Sequence, residues 1–184
     1  MNIGILPKNR LLSIISDLQK DKISEEEKKA IISKVKEYSL DKFLKFLSYR
    51  ERSTKEAQNY LEKLYLPNFL INEIITYSIK NNFLNDERFC KEYAISLFEK
   101  GKSRKYVFFK LKEKGLDEPM IEKTLSDMNF DNRKRLNEII GKLYEKYKRN
   151  PPQKRYEKIM SYLVRNGFEY DSVKGMVKEK INRG

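Results

Sequence analysis

The chain has 184 residues, 39% hydrophobic and 36% charged, with 40 Lys and Arg against 27 Asp and Glu and a formal charge of +13. That length allows one domain or two small ones, and the modest apolar content suits thin layers or stacked repeats better than a thick globule. With no His in the chain, the usual general base near neutral pH and the commonest metal ligand are missing, while the charge excess favours a polyanionic partner.

At the N-terminus, "MNIGILPKNR" lacks a basic flank followed by a long apolar run, so no signal peptide is expected. Residues 1–7 are compatible with a short strand, and "NRLLSIISDLQKDK" sets Leu11, Leu12, Ile15 and Leu18 on a helical face. Next comes "SEEEKKAIISKVKEYS", where Ser24 and Glu27 have capping-box spacing and Ile31, Ile32 and Val35 share a face. "SLDKFLKFLSYRE" carries Leu40, Phe43, Leu44 and Leu47 on one stripe. "STKEAQNYLEKLYL" opens with a second box, Ser53 and Glu56, ahead of Ala57, Tyr60, Leu61 and Leu64. "PNFLINEIITYSIKNNF" groups Leu70, Ile71, Ile74 and Ile75.

In "NNFLNDERFCKEY", Asn85 is the expected cap, with Asp86 and Glu87 in the first turn where the helix dipole favours negative charge. Leu84 and Phe89 have the spacing of a hydrophobic staple, so the segment is read as the joint between the first and second repeats. Cys90, the single cysteine, has no internal disulfide partner, as suits a reducing cytosol, and is read as a small, partly buried residue.

The chain repeats itself. "RSTKEAQNYLEKLYL" lies over "KSRKYVFFKLKEKGL" at an offset of 50, matching Ser53 to Ser103, Leu61 to Leu111 and Leu66 to Leu116. At a further offset of 52, Leu111 meets Leu163, Gly115 meets Gly167 and Leu116 meets Phe168. Gly115 and Gly167 fit the left-handed residue that follows a helix, a slot held by Tyr65 in the first copy, whose cap is expected to be poorer or differently shaped. Pro119 suits a first helical turn after Asp117, and Pro151-Pro152 ends the long helix before the third copy's second helix. The expected fold is all-α: an elongated, curved array of tandem three-helix repeats behind a short N-terminal segment, helical or partly extended. The expected divisions are 1–38 for the N-terminal segment and helix, then repeats over 39–85, 86–130 and 131–184.

Residues 1–85 hold 15 Lys and Arg against 11 Asp and Glu, and residues 86–184 hold 25 against 16. The excess gathers at two equivalent junctions, Lys100, Lys102, Arg104 and Lys105, then Lys146, Lys148, Arg149, Lys154 and Arg155. Together these nine form the candidate basic stripe for nucleic acid or a nucleoprotein filament. Tyr106, Phe108, Phe109, Tyr147 and Tyr156 lie among them and could stack on bases, although their helical spacing suits core packing better.

Nothing points to catalysis. "GKS" at 101–103 resembles the end of a phosphate-binding loop, but Ser96 stands where its first Gly belongs and no strand precedes it. Glu26 and Lys28 have the spacing of some metal-dependent nucleases, but on a helix and in a chain rich in both residues. Catalysis, cofactor and metal are not expected, and no run of about 18 apolar residues suggests a membrane span.

Four places, in order and spacing, resemble the RecX family of recombination regulators. "NFLNDERFCKEY" resembles its Gly-Tyr/Phe-Leu-Asp-Asp-x-Arg-Phe-Ala segment, with Asn82 and Asn85 replacing the usual Gly and first Asp. "GKSRKYVFFKLKEKGLDEPMIEKTL" resembles its second repeat, "LSYRERSTKEAQNYL" the opening of its first, and "IMSYLVRNGFEYDSV" the close of its third, with Asn166 for Arg. The N-terminal hairpin of many members has no clear counterpart in residues 1–20. The resemblance implies a cytoplasmic, non-enzymatic monomer that binds the RecA recombinase and the RecA–DNA filament and restrains filament growth. The alternative carried by charge alone is a general binder of single-stranded DNA or RNA.

Overall fold

The structure, a computed structural model, describes residues 24–128 and 132–183. The helical face of Leu11, Leu12, Ile15 and Leu18 and the short strand considered over residues 1–7 lie outside the described residues. The described residues form nine α-helices and no strand: α1 Glu25–Ser48, α2 Thr54–Glu62, α3 Asn68–Lys80, α4 Asp86–Glu99, α5 Arg104–Glu113, α6 Glu118–Asp127, α7 Asn132–Tyr147, α8 Pro152–Arg165 and α9 Tyr170–Arg183. The protein is thus all-α, with its helices in the expected repeating order. It divides into two compact units, Met1–Phe89 and Cys90–Gly184, the division falling inside α4.

In the first unit, α1 begins with the predicted capping box: the Glu27 N–H donates to Ser24 Oγ at 3.2 Å and the Ser24 N–H to Glu27 Oε2 at 3.0 Å. The Ser24 N–H bond first, and then a bond from the Ser24 hydroxyl to the same Glu27 oxygen at 3.0 Å, hold the Glu27 carboxyl below its usual range. The division expected between residues 38 and 39 falls inside this single helix. No Gly or Pro interrupts it, and Val35, Ser39 and Phe43 follow one another at steps of four on its buried face. Ser39 therefore fills a helix interior rather than starting a new element.

α1, α2 and α3 close on one core containing Phe43, Ala57, Leu61, Leu70, Ile71 and Ile74. Each fully buried aliphatic or Phe side chain in such a core is worth about 1.5–3 kcal/mol. Ser53 caps α2 as predicted, its Oγ accepting from the Glu56 N–H at 3.2 Å. The Glu56 carboxylate takes both guanidinium nitrogens of Arg50, at 3.0 and 3.1 Å. The cap of α4 also forms, with Asn85 Oδ1 accepting from the Arg88 N–H at 2.9 Å. Asp86 does more than face the helix dipole: its Oδ1 accepts from the Thr54 N–H at 2.8 Å, serving an orphan donor at the start of α2. Arg88 reaches back to Glu51 Oε1 at 2.8 Å and the Asn82 carbonyl at 3.2 Å. Leu84 and Phe89 are each 2% exposed.

In the second unit, α5 packs on α6 through the buried Val107, Leu111, Ile121 and Leu125. α7, α8 and α9 share a separate core of Leu136, Ile140, Leu143, Ile159, Leu163 and Val177, among others. Pro119 sits in the first turn of α6 behind the Asp117 cap, and Pro152 starts α8, as their fixed φ allows. Cys90 is fully buried.

The three residues expected in the left-handed slot all occupy it: Tyr65 at φ 58°, Gly115 at 85° and Gly167 at 86°. After Gly167 the chain closes a helix-ending motif in which the Phe168 N–H donates to the Leu163 carbonyl at 3.1 Å and the Gly167 N–H to Val164 at 3.0 Å. Leu116 makes the matching bond to Leu111 at 3.4 Å. In the first copy the Tyr65 N–H bonds Glu62 at 2.9 Å, but no bond from Leu66 to Leu61 closes the loop among the described residues.

Because Leu84 and Phe89 are buried on either side of the Asn85 cap, Leu84→Ala and Phe89→Ala are each expected to lower unfolding free energy by about 2–5 kcal/mol. Urea denaturation followed by circular dichroism measures this. A loss below about 1 kcal/mol for both would show that the segment does not anchor the fold.

Candidate nucleic-acid interface

All nine candidate basic residues lie in the second unit. The first junction is a tight turn at Gly101, φ 76°, whose N–H donates to the Phe98 carbonyl at 2.9 Å while that of Lys102 donates to Leu97 at 3.1 Å. Ser103 then caps α5. Its Oγ accepts from the Tyr106 N–H at 3.1 Å and donates to the Gly167 carbonyl at 2.7 Å. Its own N–H donates to the Asn166 carbonyl at 2.9 Å. Lys102 Nζ donates to Asn166 Oδ1 at 2.7 Å and lies 4.7 Å from the Tyr106 ring centre. The start of α5 is therefore locked to the C-terminal end of α8. A Cβ at Gly167 would come within 2.6 Å of Ser103 Oγ and 2.8 Å of Tyr106 Cβ.

Arg104 faces its own repeat. One guanidinium nitrogen donates to the Leu125 carbonyl at 2.8 Å and the other to Glu122 at 2.7 Å and Ser126 Oγ at 3.3 Å, so it caps the end of α6. Lys105 pairs with Glu169 at 2.9 Å, and that hydrogen bond lowers the Glu169 carboxyl below its usual range. The contribution is present above the unfolded-state pKa of the carboxyl and is lost as pH falls through the lowered one. Lys100 is exposed, and its side chain has no hydrogen bond or ion pair among the described residues.

The second junction follows the same division of labour. Arg155 Nη2 donates to the Lys148 and Asn150 carbonyls at 2.8 and 3.2 Å, and its guanidinium lies 4.5 Å from the Tyr144 ring centre. It thereby holds the link between α7 and α8. Lys148 pairs with Glu145 at 3.1 Å, and Lys146 lies 5.6 Å from the Tyr147 ring centre. Arg149 and Lys154 are exposed, and their side chains have no hydrogen bond or ion pair among the described residues. The two junctions sit at opposite ends of α8, a 14-residue helix of about 20 Å. The side chains of Lys100, Arg149 and Lys154 thus have no hydrogen bond, ion pair or ring contact among the described residues to give up, and Lys102, Arg104 and Arg155 serve chiefly to hold structure.

Of the interleaved aromatics, Phe109 is exposed and the other four are half-buried. Tyr106 has Lys102 and Lys110 over its ring, while Tyr147 and Tyr156 pack against the third-repeat core. Tyr156 and Tyr170 share a hydroxyl hydrogen bond of 3.3 Å, which, ahead of burial, pushes the Tyr156 phenol up to about 12.

One basic surface was missed in the sequence. A groove of about 490 Å³ runs beside the Gly101 turn, lined by Phe98, Lys134, Arg135, Ile139 and Lys142 together with the carboxylates Glu99 and Glu138. The Arg135 guanidinium lies 4.6 Å from the Phe98 ring centre. Partial burial lowers the pKa of Arg135, against the pull of Glu138. The available signal was the run Arg133-Lys134-Arg135, three cations in the first turn of α7, where the helix dipole disfavours them. The "GKS" stretch forms the helix-to-helix turn at Ser103. No group of three or more potential ligands placed to hold a metal ion occurs among the described residues, and no helix among them is long and apolar enough to cross a membrane.

Taken together, the fold and its interhelix contacts define an all-α protein of tandem helical repeats. Residues 85–125 match the second three-helix domain of RecX. The chain is 33% identical over 144 residues to the regulatory protein RecX of Bacillus velezensis, covering 77% of this chain and 54% of that one. It is 30% identical to RecX of Streptococcus agalactiae over 88% of this chain and 63% of the relative. A crystal structure of a regulatory protein RecX superposes with a TM-score of 0.66 at 20% identity, covering 91% of this chain and 85% of the other. One of RecX from Lactobacillus salivarius gives 0.65 at 23%, covering 83% and 99%. The chain belongs to the RecX family, and it spans about half the length of the curated Bacillus relatives it matches.

The close approach at Gly167 yields a contrast between two glycines. Gly167→Ala is expected to cost roughly 2–4 kcal/mol, because a left-handed Ala is strained and its Cβ meets the α5 cap. Gly141→Ala, in mid-helix with nothing within 4 Å of the added Cβ, is expected to stabilise by about 0.5–1 kcal/mol. Thermal melting of the two variants decides both.

Proposed function

We propose that this protein binds the RecA recombinase and its filament on DNA, and restrains filament growth, strand exchange and ATP hydrolysis. In this reading it tunes DNA repair, homologous recombination and the SOS response from the cytoplasm, as a monomer that acts by binding rather than by catalysis. The observation that carries the reading is the 33% identity to a regulatory protein RecX across 77% of the chain. The formal charge of +13 supports a nucleoprotein partner. Repeats divided near residues 85 and 130 present their basic junctions as separate contact points. Cations about 20 Å apart along α8 match phosphates several nucleotides distant on one strand.

Addition of the protein to a bacterial RecA on single-stranded DNA is expected to lower the steady-state ATPase rate at sub-stoichiometric amounts, and the protein is expected to co-sediment with the filaments. An unchanged rate at equimolar protein would overturn the regulator reading. Tight binding to naked strands in that case would leave the general single-strand binder, which the charge alone favours.

The phosphate contacts are assigned to Lys100, Arg149 and Lys154. Replacing all three with Ala is expected to weaken filament or DNA binding about tenfold at low salt and flatten its salt dependence, with stability changed by less than about 0.5 kcal/mol. Replacing Lys102, Arg104 and Lys105 instead is expected to lower stability as well, because it removes the α6 cap and the bond to Asn166. Titration at several salt concentrations beside urea denaturation separates the two sets.

A further inference from the structure

The first unit carries an aromatic groove of about 500 Å³, away from both basic junctions in sequence. Tyr38, Lys42, Lys45, Phe46 and Tyr49 of the α1 segment line it, with Tyr60 from α2. Tyr38, Lys42, Lys45 and Tyr49 follow at steps of four, three and four, and Phe46 lies four from Lys42 and three from Tyr49, so the five share one face, about 16 Å long at 1.5 Å per residue. Phe46 and Tyr60 stack with centroids 4.0 Å apart at 8°. The Arg52 guanidinium lies 4.1 Å from the Phe46 ring centre, so both faces of that ring are occupied and the floor of the groove is a rigid stack. Lys42 Nζ is 5.1 Å from the Tyr38 ring centre, and the one lining carboxylate, Asp41, is paired with Lys45 at 3.1 Å. Tyr49, at the C-terminal cap of α1, is 82% exposed.

We propose that this groove is a stacking site for the bases of a single-stranded nucleic acid, with Tyr49 as the outer platform and Lys42 and Lys45 meeting flanking phosphates. Aromatic faces beside ammonium groups suit a polymer that alternates flat π systems with negative charge. A length of about 16 Å spans roughly five stacked nucleotides at 3.4 Å each. The proposal rests on the nucleic-acid side of the proposed function and assigns it a site that reads bases rather than phosphates.

The test is fluorescence anisotropy of the full chain with two labelled strands of about 12 residues, one of thymidine and one abasic throughout, at about 50 mM salt. The wild type is expected to bind the thymidine strand at least about tenfold more tightly than the abasic one. Tyr49→Ala is expected to lose about 5- to 10-fold on the thymidine strand and nothing on the abasic strand, with Tyr49→Phe retaining wild-type affinity. Equal affinity of the wild type for both strands, or the same loss on both for Tyr49→Ala, overturns the proposal; the second result would leave Tyr49 in contact with something other than a base. A wild type that slows RecA ATPase yet does not discriminate the strands keeps the regulator reading and loses this one.

Discussion

A backbone held at positive φ after the second helix is the constraint on which each repeat depends. The helix must end, turn and return an apolar residue to its own core within two positions, and the left-handed conformation does this in the fewest residues. In the second unit the same turn has a further duty. The carbonyls of Asn166 and Gly167 point at the start of α5 and accept from the Ser103 N–H and hydroxyl. The end of one helix is thereby completed by the beginning of another, more than sixty residues earlier, leaving no room for a side chain at Gly167. Tyr65 holds the corresponding place in the first unit without the closing bond, and an L side chain there carries a conformational cost that Gly avoids.

Charge in this molecule divides between structure and surface. Arg104 and Arg155 each give guanidinium protons to backbone carbonyls at helix ends, and Lys102 gives one to a buried Asn side chain. Hydrogen bonds from charged groups are worth about 1.5–3 kcal/mol where water is partly excluded, more than the 0–1 kcal/mol of an exposed ion pair. A cation committed in this way meets a phosphate only by giving up its carbonyl. Net charge therefore overstates the basic surface open to a polyanion, and position in the fold decides which residues contribute.

Much of the fold was legible in local chemistry. The capping box at Ser24, the caps at Ser53 and Asn85, the left-handed slots and the offsets near fifty rest on interactions within a few residues, and such interactions leave periodic marks. The division expected between residues 38 and 39 has no counterpart in the helix itself, where Ser39 is buried on the stripe that continues to Phe43. The basic junctions were legible as clusters, since charge runs are visible in one dimension. Their division into structural and available members was not, because the partners of Lys102 and Arg104 stand 64 and about 20 residues away. The groove of Lys134 and Lys142 was missed for a similar reason: the fold sets α7 beside the Gly101 turn, and no run along the chain joins them.

The sequence by itself determined the helices, their caps and their repetition, which follow from spacing and short-range stereochemistry; composition set the basic balance, and the motifs carried the family resemblance. Only the tertiary structure decided which cations are consumed as caps, that Asp86 serves the start of α2, and that Tyr49, Phe46 and Tyr60 gather round one groove. These depend on contacts between helices distant in the chain, whose geometry is set by the packing of whole cores.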